Sequence, residues 1–278
     1  MRYAKKTGYV LALILFLIFT AGPFVWTFIL SVTPEHAMFT GDGGLLPETV
    51  IWDNYTELFS GGQRGSRFFV SLGNSLKAAG LTLCIGIPVA LVSAYVLGRM
   101  RFRGRELIRS LLLITMVIPV MATIIPLYRM FAEGELLDSL FWLTLVYISS
   151  YLPMAVWLIS NYFSTIPGEL EEAALIDGCG RVQSFLRLIL PLSRPIILSV
   201  ALIMFLNTWS QFQIPLILAS SMETKPMAIV VSEFVTKDSI QYGLVAAAGM
   251  LALIPPAVAA LVFRRYLVAG MTSGSVKG

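Results

Sequence analysis

Long apolar runs separated by short polar stretches dominate the chain. The runs are Val10–Val32, Ser71–Leu97, Leu107–Met130, Leu140–Tyr162, Ile196–Ser220 and Gly243–Phe263. Each is close to the roughly 20 residues that cross a hydrocarbon core. Six spans are expected, all helical, because lipid offers no partner to an unpaired backbone group. Prolines inside them (Pro23, Pro88, Pro119, Pro126, Pro153, Pro215, Pro255 and Pro256) predict kinks. The first run follows Arg2, Lys5 and Lys6. It is longer than the apolar core of a signal peptide, about 7–15 residues, and lacks a convincing cleavage site, so it reads as a retained span.

Composition agrees with this pattern. The chain is 57% hydrophobic and 13% charged, with a mean hydropathy of +0.81. A soluble domain of 278 residues needs more charge than that to cover its surface. The expectation is one membrane domain with no room for a soluble one. Cys84 and Cys179 fall in an apolar run and a polar segment, which is not a disulfide framework. A single histidine, His36, gives no basis for a metal site or a histidine-based catalytic set.

Six spans put both termini on one side, and the positive-inside rule chooses the side. With the N-terminus in the cytoplasm, the inner face holds Arg2, Lys5 and Lys6, then Arg99, Arg101, Arg103, Arg105 and Arg109. It also holds Arg181, Arg187 and Arg194, and finally Arg264, Arg265 and Lys277. Arg64, Arg67, Lys77, Arg129, Lys225 and Lys237 remain outside. Glu35, Asp42, Glu48, Asp53 and Glu57 crowd into the first outer loop, Thr33 to Val70. That loop carries "TGDGGLLPE" and "SGGQRGS" and reads as irregular, with a short helix at Asn54–Leu58. Asn54-Tyr55-Thr56 matches a glycosylation triplet that is common by chance. The tail after Arg265 is small and polar.

The most polar long stretch of the second half is "GELEEAALIDGCGRVQSFLRLILPLSRP", Gly168–Pro195. Pro167 suits a helix start, and Glu169, Glu171 and Glu172 suit the positive end of its dipole. Ala173, Ala174, Leu175 and Ile176 continue the helix, and Gly178 and Gly180 stop it. A second helix follows, with Val182, Phe185, Leu186 and Ile189 as an apolar stripe, ended by Pro191 and Pro195. Two short helices in an L are expected. One lies along the membrane surface, and the other presents alanines and acids to the cytoplasm. Two readings stay open: an ordinary interfacial helix with solvated acids, or a small knob that enters a groove on another protein.

"EEAALIDGCGRVQSFLRLILP" resembles the EAA motif of ATP-binding-cassette importer permeases. In that family Glu-Ala-Ala is followed after three residues by Gly, and after nine more by Ile-x-Leu-Pro. Here the matching residues are Glu172, Ala173, Ala174, Gly178, Leu190 and Pro191, with Asp177 inside the motif and Leu188 where the family has Ile. "NSLKAAG" (74–80), "YVLGRMRFRGRE" (95–106) and the terminal "GMTSGSVKG" extend the similarity to the second, maltose-permease-like subunit of carbohydrate importers. The resemblance implies an all-α integral membrane protein: a type I ABC importer permease (MetI-like) bundle of six transmembrane helices, both termini cytoplasmic. It divides the chain into a first helix (1–32), an outer loop (33–70), a five-helix permease domain (71–264) with a coupling loop at 163–195, and a tail (265–278).

The resemblance also implies the mechanics. Glu172 would contact a separate ATPase subunit, Ala173 and Ala174 would fit its cleft, Gly178 would allow the turn, and Leu190 and Pro191 would fix the exit. Lys277 in the tail is a further candidate ATPase contact. The implied partners are a homologous second permease, two ATPases, an extracytoplasmic binding protein and lipid, in a bacterial or archaeal cell membrane; nucleic acid is not among them. This chain is expected to bind no cofactor or metal, ATP and Mg belonging to the ATPases, and it has no G-x-x-x-x-G-K-[ST] run.

Polar residues within a span face a bundle interior or a wet cavity. In "FLNTWSQFQIP", Asn207 and Gln211 are four apart and are expected on one helix face, with Trp209 and Gln213 nearby. Amides beside an aromatic ring suit sugar hydroxyls and the apolar face of a pyranose. The same amides could instead bond neighbouring helices, at roughly 0.6–2 kcal/mol each. Lys77 is expected to reach outward, and Trp26, Trp142 and Trp157 to serve the lipid interface or packing. A glycerol phosphate or polyol importer is the alternative within transport, and few cations along the spans favour a neutral solute. A self-contained carrier would want midplane acids, which the spans lack. An intramembrane enzyme would want HExxH, GxSxG or a Ser–His pair, none of which is present.

Overall fold

The computed structural model describes residues 2–39, 46–235 and 241–272, without the side chains of 2–5 and 265–272. Every regular element among these residues is helical. In order they are α1 (Arg2–Ser31), a 3-10 turn (Glu35–Met38), α2 (Asp53–Phe59), α3 (Gln63–Arg99), α4 (Arg105–Val117) and α5 (Val120–Glu133). Next come α6 (Leu140–Thr165), α7 (Gly168–Ile176), α8 (Arg181–Ser184), a π-helical turn (Phe185–Ile189), α9 (Leu190–Leu192) and α10 (Arg194–Trp209). The chain continues with α11 (Gln213–Leu218), α12 (Met227–Glu233), α13 (Tyr242–Ala252) and α14 (Ile254–Thr272).

Four stretches among the described residues are long and apolar enough to cross a membrane: Lys6–Ser31, Gln63–Arg99, Leu140–Thr165 and Tyr242–Arg264. Two bent helix pairs bring the number to as many as six if each pair counts as one span. The expected span Leu107–Met130 is one of them: α4 and α5 meet at 94°. Proline is the cause. Pro119 forces Ile118 into extended backbone (φ −67°, ψ 118°), and the helix cannot pass through. The expected span Ile196–Ser220 also breaks. α10 stops at Trp209, and α11 starts anew at Gln213. Pro215 has no N–H for the carbonyl of Gln211, so one continuous helix is not available. α10 has 16 residues, and the second bent pair joins it to Arg181–Leu192 at 76°. The last run is likewise two helices, separated at Leu253 just before Pro255 and Pro256.

The chain divides into two compact units, Met1–Val70 with Ile229–Ile254, and Ser71–Ala228 with Pro255–Gly278. The boundaries fall inside α3, α12 and α14. In the first unit α1 packs along α13, which also touches α2. Residues 6–21 of α1 are bare, with Phe16, Ile18 and Phe19 all exposed, as a lipid-facing helix requires. Residues 63–70, expected as irregular loop, are helical, because the glycine there serves packing. A Cβ at Gly65 would lie 2.3 Å from the Leu58 carbonyl oxygen. Phe68 is buried nearby, and Arg64 pairs with Glu57 at 2.6 Å.

In the second unit α6 is central and packs against α4, α10 and α11. One core joins Ala90, Ala94 and Leu97 of α3 to Val156, Ile159 and Phe163 of α6 and to Val200 and Met204 of α10. Another joins Leu143 and Tyr147 of α6 to Phe131 of α5 and Ile214 of α11. α3 approaches closely because Gly86, Ala90, Ala94 and Gly98 recur every fourth residue. A Cβ at Gly98 would sit 2.9 Å from the Ser160 carbonyl oxygen, and one at Gly86 2.7 Å from Met204 Cε.

Candidate functional site: the 168–192 elbow and the 207–213 break

α7 begins directly after Pro167, with Glu169 and Glu171 in its first turn. It ends in a Schellman motif. The Cys179 N–H donates to the Ala174 carbonyl at 2.9 Å and the Gly178 N–H to that of Leu175 at 3.1 Å. Gly178 sits at φ +83°, where a side chain would be strained. α8 follows after a two-residue turn. Pro191 does not end this second helix, as the sequence suggested. The turn widens instead, and the Leu190 N–H reaches back five residues to Phe185. The helix then runs to Leu192 and stops at Ser193, and Pro195 lies in the first turn of α10.

The outer surface of this elbow is uncovered among the described residues. Glu172, Ala173, Asp177, Gly178 and Pro191 are exposed, while Ala174 and Leu190 are half-buried. Ile176 is 86% exposed and Val182 72%. The expected stripe of the second helix is thereby split. Ile189 is buried, and Phe185 packs its ring 4.7 Å from that of Tyr95. Val182 and Leu186 point away.

Sequence reasoning missed the residue that fixes the elbow. It is Glu171, the neighbour of Glu172. Arg99, at the end of α3, donates from Nε to Glu171 Oε2 at 2.6 Å, and its Nη2 lies 2.5 Å from the same oxygen. Tyr95, one turn earlier, donates to Oε1 at 2.9 Å. Arg99 Nη1 also donates to the carbonyls of Ile166 (2.7 Å) and Phe163 (3.2 Å) at the end of α6. The two charged side chains are only 11% and 18% exposed. One guanidinium thus ties α3, α6 and α7 together. Two more arginines brace the same end. Arg105 Nε donates to the Leu97 carbonyl at 2.7 Å, and Arg109 Nη2 to Asn161 Oδ1 at 2.9 Å. The signal was present in "YVLGR": Tyr95 and Arg99 are four apart and share a helix face.

The second candidate region is the break after α10. Asn207 and Gln211 do not share a helix face, because the helix ends between them. Gln211 is used at both ends of its amide. Its Nε2 donates to Tyr151 Oη at 2.9 Å, and its Oε1 accepts the Gln213 N–H at 3.1 Å. Tyr151 Oη in turn donates to the Asn207 carbonyl at 3.1 Å. Trp209 is buried and stacks on Phe205. Asn207 is half-buried and Gln213 exposed. Beyond α11 the chain is held by Asp138. Its Oδ1 accepts the N–H groups of Ser220 (2.9 Å) and Ser221 (2.8 Å) and the Thr224 hydroxyl. Burial pushes the Asp138 carboxyl up, but these donors outweigh it and hold it below its ordinary value. Asn74 Nδ2 adds bonds to the carbonyls of Met222 (2.9 Å) and Lys225 (3.1 Å). Lys277 lies outside the described residues, as do Asp42 and Lys237.

Residues 86–273, which include the elbow and the break, match the family described as the binding-protein-dependent transport system inner membrane component. The chain belongs to this family. Within it, the chain is 32% identical to the trehalose transport system permease protein SugB of Mycobacterium tuberculosis (strain CDC 1551 / Oshkosh), over 92% of each. It is 29% identical to the trehalose/maltose transport system permease protein MalG of Thermococcus litoralis, over 99% of this chain and 98% of that one. The fold matches a chain of the crystal structure of a bacterial ABC transporter involved in the import of the acidic polysaccharide alginate. The TM-score is 0.81 at 21% identity, covering 96% of this chain and 98% of that one. This family member is therefore a multi-pass membrane permease subunit of a binding-protein-dependent transport system, a transport subunit and not an enzyme.

Proposed function

We propose that the chain forms half of the path through which a neutral sugar is imported, and that ATP hydrolysis on separate subunits drives it through the elbow. The observation that carries this reading is the elbow's two-sidedness. Its inner side is clamped to α3 and α6 through Glu171 and Arg99, while its outer side leaves Glu172, Ala173 and Ile176 exposed among the described residues. A knob held that firmly transmits a push to the spans instead of absorbing it. Glu172 makes the polar contact on the ATPase, Ala173 and Ala174 enter its cleft, Asp177 rims it, and Gly178 sets the turn. Leu190 and Pro191 carry the motion into α10. Lys277 is a further contact from the tail.

The basic residues at this end of the helices support a cytoplasmic elbow and cytoplasmic termini. In that orientation the Asp138 and Asn74 anchors lie outside, toward the binding protein. The membrane is that of a bacterium or archaeon, the second half of the path is a homologous permease, and ATP with Mg resides on two ATPase subunits. Sugar as the solute is supported by relatives named for trehalose, for maltose and, in Streptomyces coelicolor, for diacetylchitobiose. The break offers the amides of Asn207 and Gln213, with Gln211 already bonded to Tyr151 and the Gln213 N–H, and no cation, which suits hydroxyls better than phosphate. Co-expression with the cognate subunits and reconstitution into vesicles tests the proposal. ATP inside the vesicle's cytoplasmic face should drive uptake of radiolabelled trehalose or maltose delivered with the binding protein. Uptake that proceeds equally without the ATPase subunits defeats it.

A further inference from the structure

A cavity of about 310 Å³ opens where the end of α3 meets α7 and α8. Arg99, Arg101 and Arg181 line it together with Glu171, Tyr95 and Ser184. Its charges do not balance. Glu171 is already shared by Arg99 and Tyr95. Arg101 and Arg181 form no ion pair and no side-chain hydrogen bond among the described residues, and both are exposed. Ser184 is enclosed in the wall of the cavity. It is 3% exposed, and its Oγ has no hydrogen-bond partner among the described residues. Arg101 and Arg181 come to one cavity from positions 80 residues apart in sequence, and together with Arg99 they outnumber the one carboxylate there, Glu171.

We propose that this cavity is a phosphate site, in which Arg101 and Arg181 fork the oxygens of one phosphate group. Guanidinium forks match phosphate geometry, and arginine keeps its charge at any physiological pH. The volume exceeds a bare phosphate and leaves room for a glycerol or sugar moiety attached to it. Two sources share this chemistry: the headgroup of an anionic phospholipid and a soluble phosphate monoester. In either case the ligand joins the segment after α3 to the start of α8 and stiffens the elbow on its inner side. The site does not depend on which solute the permease carries.

The test uses the whole importer. Its thermal midpoint is measured in detergent with inorganic phosphate against chloride at matched ionic strength. It is measured again in phosphatidylcholine nanodiscs with and without an equal part of phosphatidylglycerol. The native protein should gain roughly 2 °C or more in at least one arm. A gain with phosphate identifies the soluble ligand, and a gain with phosphatidylglycerol alone identifies the headgroup. Arg101→Gln/Arg181→Gln should lose that gain, and Arg103→Gln, outside the cavity, should keep it. No gain in the native protein, or the same gain in the double variant, overturns the proposal. So does release of the ATPase subunits from the double variant in phosphate-free phosphatidylcholine, which would assign the two arginines to protein docking.

Discussion

Replacing Arg99 by alanine should cost more than any other single change at the basic end of the helices. The guanidinium makes two close contacts to Glu171 and two to carbonyls at the end of α6, in a site where the ion pair is at most 18% exposed. Its loss leaves Glu171 with one donor, Tyr95, and leaves the Ile166 and Phe163 carbonyls bare on one side. Breaking a buried pair costs about 3–5 kcal/mol, and partial access to water reduces this to about 2–4 kcal/mol. Glu171→Ala should cost less, about 1–3 kcal/mol, because Arg99 keeps its carbonyl acceptors. The double variant should show a coupling energy of about 1.5 kcal/mol or more. Unfolding in mixed micelles by increasing dodecyl sulfate measures all four corners of the cycle. In vesicles both single variants should hydrolyse ATP with less sugar moved per ATP. Additivity within about 0.5 kcal/mol would refute the anchor.

Gly178→Ala should destabilise the α7 end by about 1–2 kcal/mol, because its φ of +83° favours glycine. The same unfolding titration reads this, and a silent substitution would argue against the turn. Gly98→Val should cost about 1–3 kcal/mol and lower the yield of folded protein, since even a Cβ would meet the Ser160 carbonyl oxygen at 2.9 Å; a wild-type melting profile would contradict the close crossing of α3 and α6. The depressed pKa of Asp138 contributes stability above the ordinary carboxylate range, lost as pH falls through its lowered folded value. Asp138→Asn should therefore cost about 1.5–3 kcal/mol at pH 7. Its difference from the native protein should shrink below about pH 4; a pH-independent difference would contradict the assignment.

The spans were readable because lipid imposes a simple rule of length and apolarity, and Leu140–Tyr162 agrees with α6 almost residue for residue. The bend at Pro119 and the break at Ser210–Phe212 were not readable as such. Hydropathy does not change across them, and a proline can kink, break or start a helix according to what its neighbours satisfy. Glycine misled for a related reason. Gly65 looked like a loop signal and is a point of close contact, whereas Gly178 is a true turn. At the elbow the two-helix form followed from capping residues alone. Which acid faces inward did not, because Glu171 and Glu172 are chemically identical until the end of α3 is set beside one of them. Gln211 shows the same limit: its amide suits a hydroxyl in solution, but Tyr151 and the Gln213 N–H claim it in the fold.

In the proposed function the elbow is the place where a separate motor pushes on the spans. Its most direct measurement pairs Glu172→Lys with Ile176→Asp, two changes on exposed positions that leave the Arg99 anchor alone. Membranes containing either variant, beside the native subunits, are assayed for permease content, retention of the ATPase on purification, and ATP-driven uptake. Normal insertion with ATPase retention and uptake both reduced at least tenfold is the expected result. Full uptake with the ATPase still bound in both variants would contradict it.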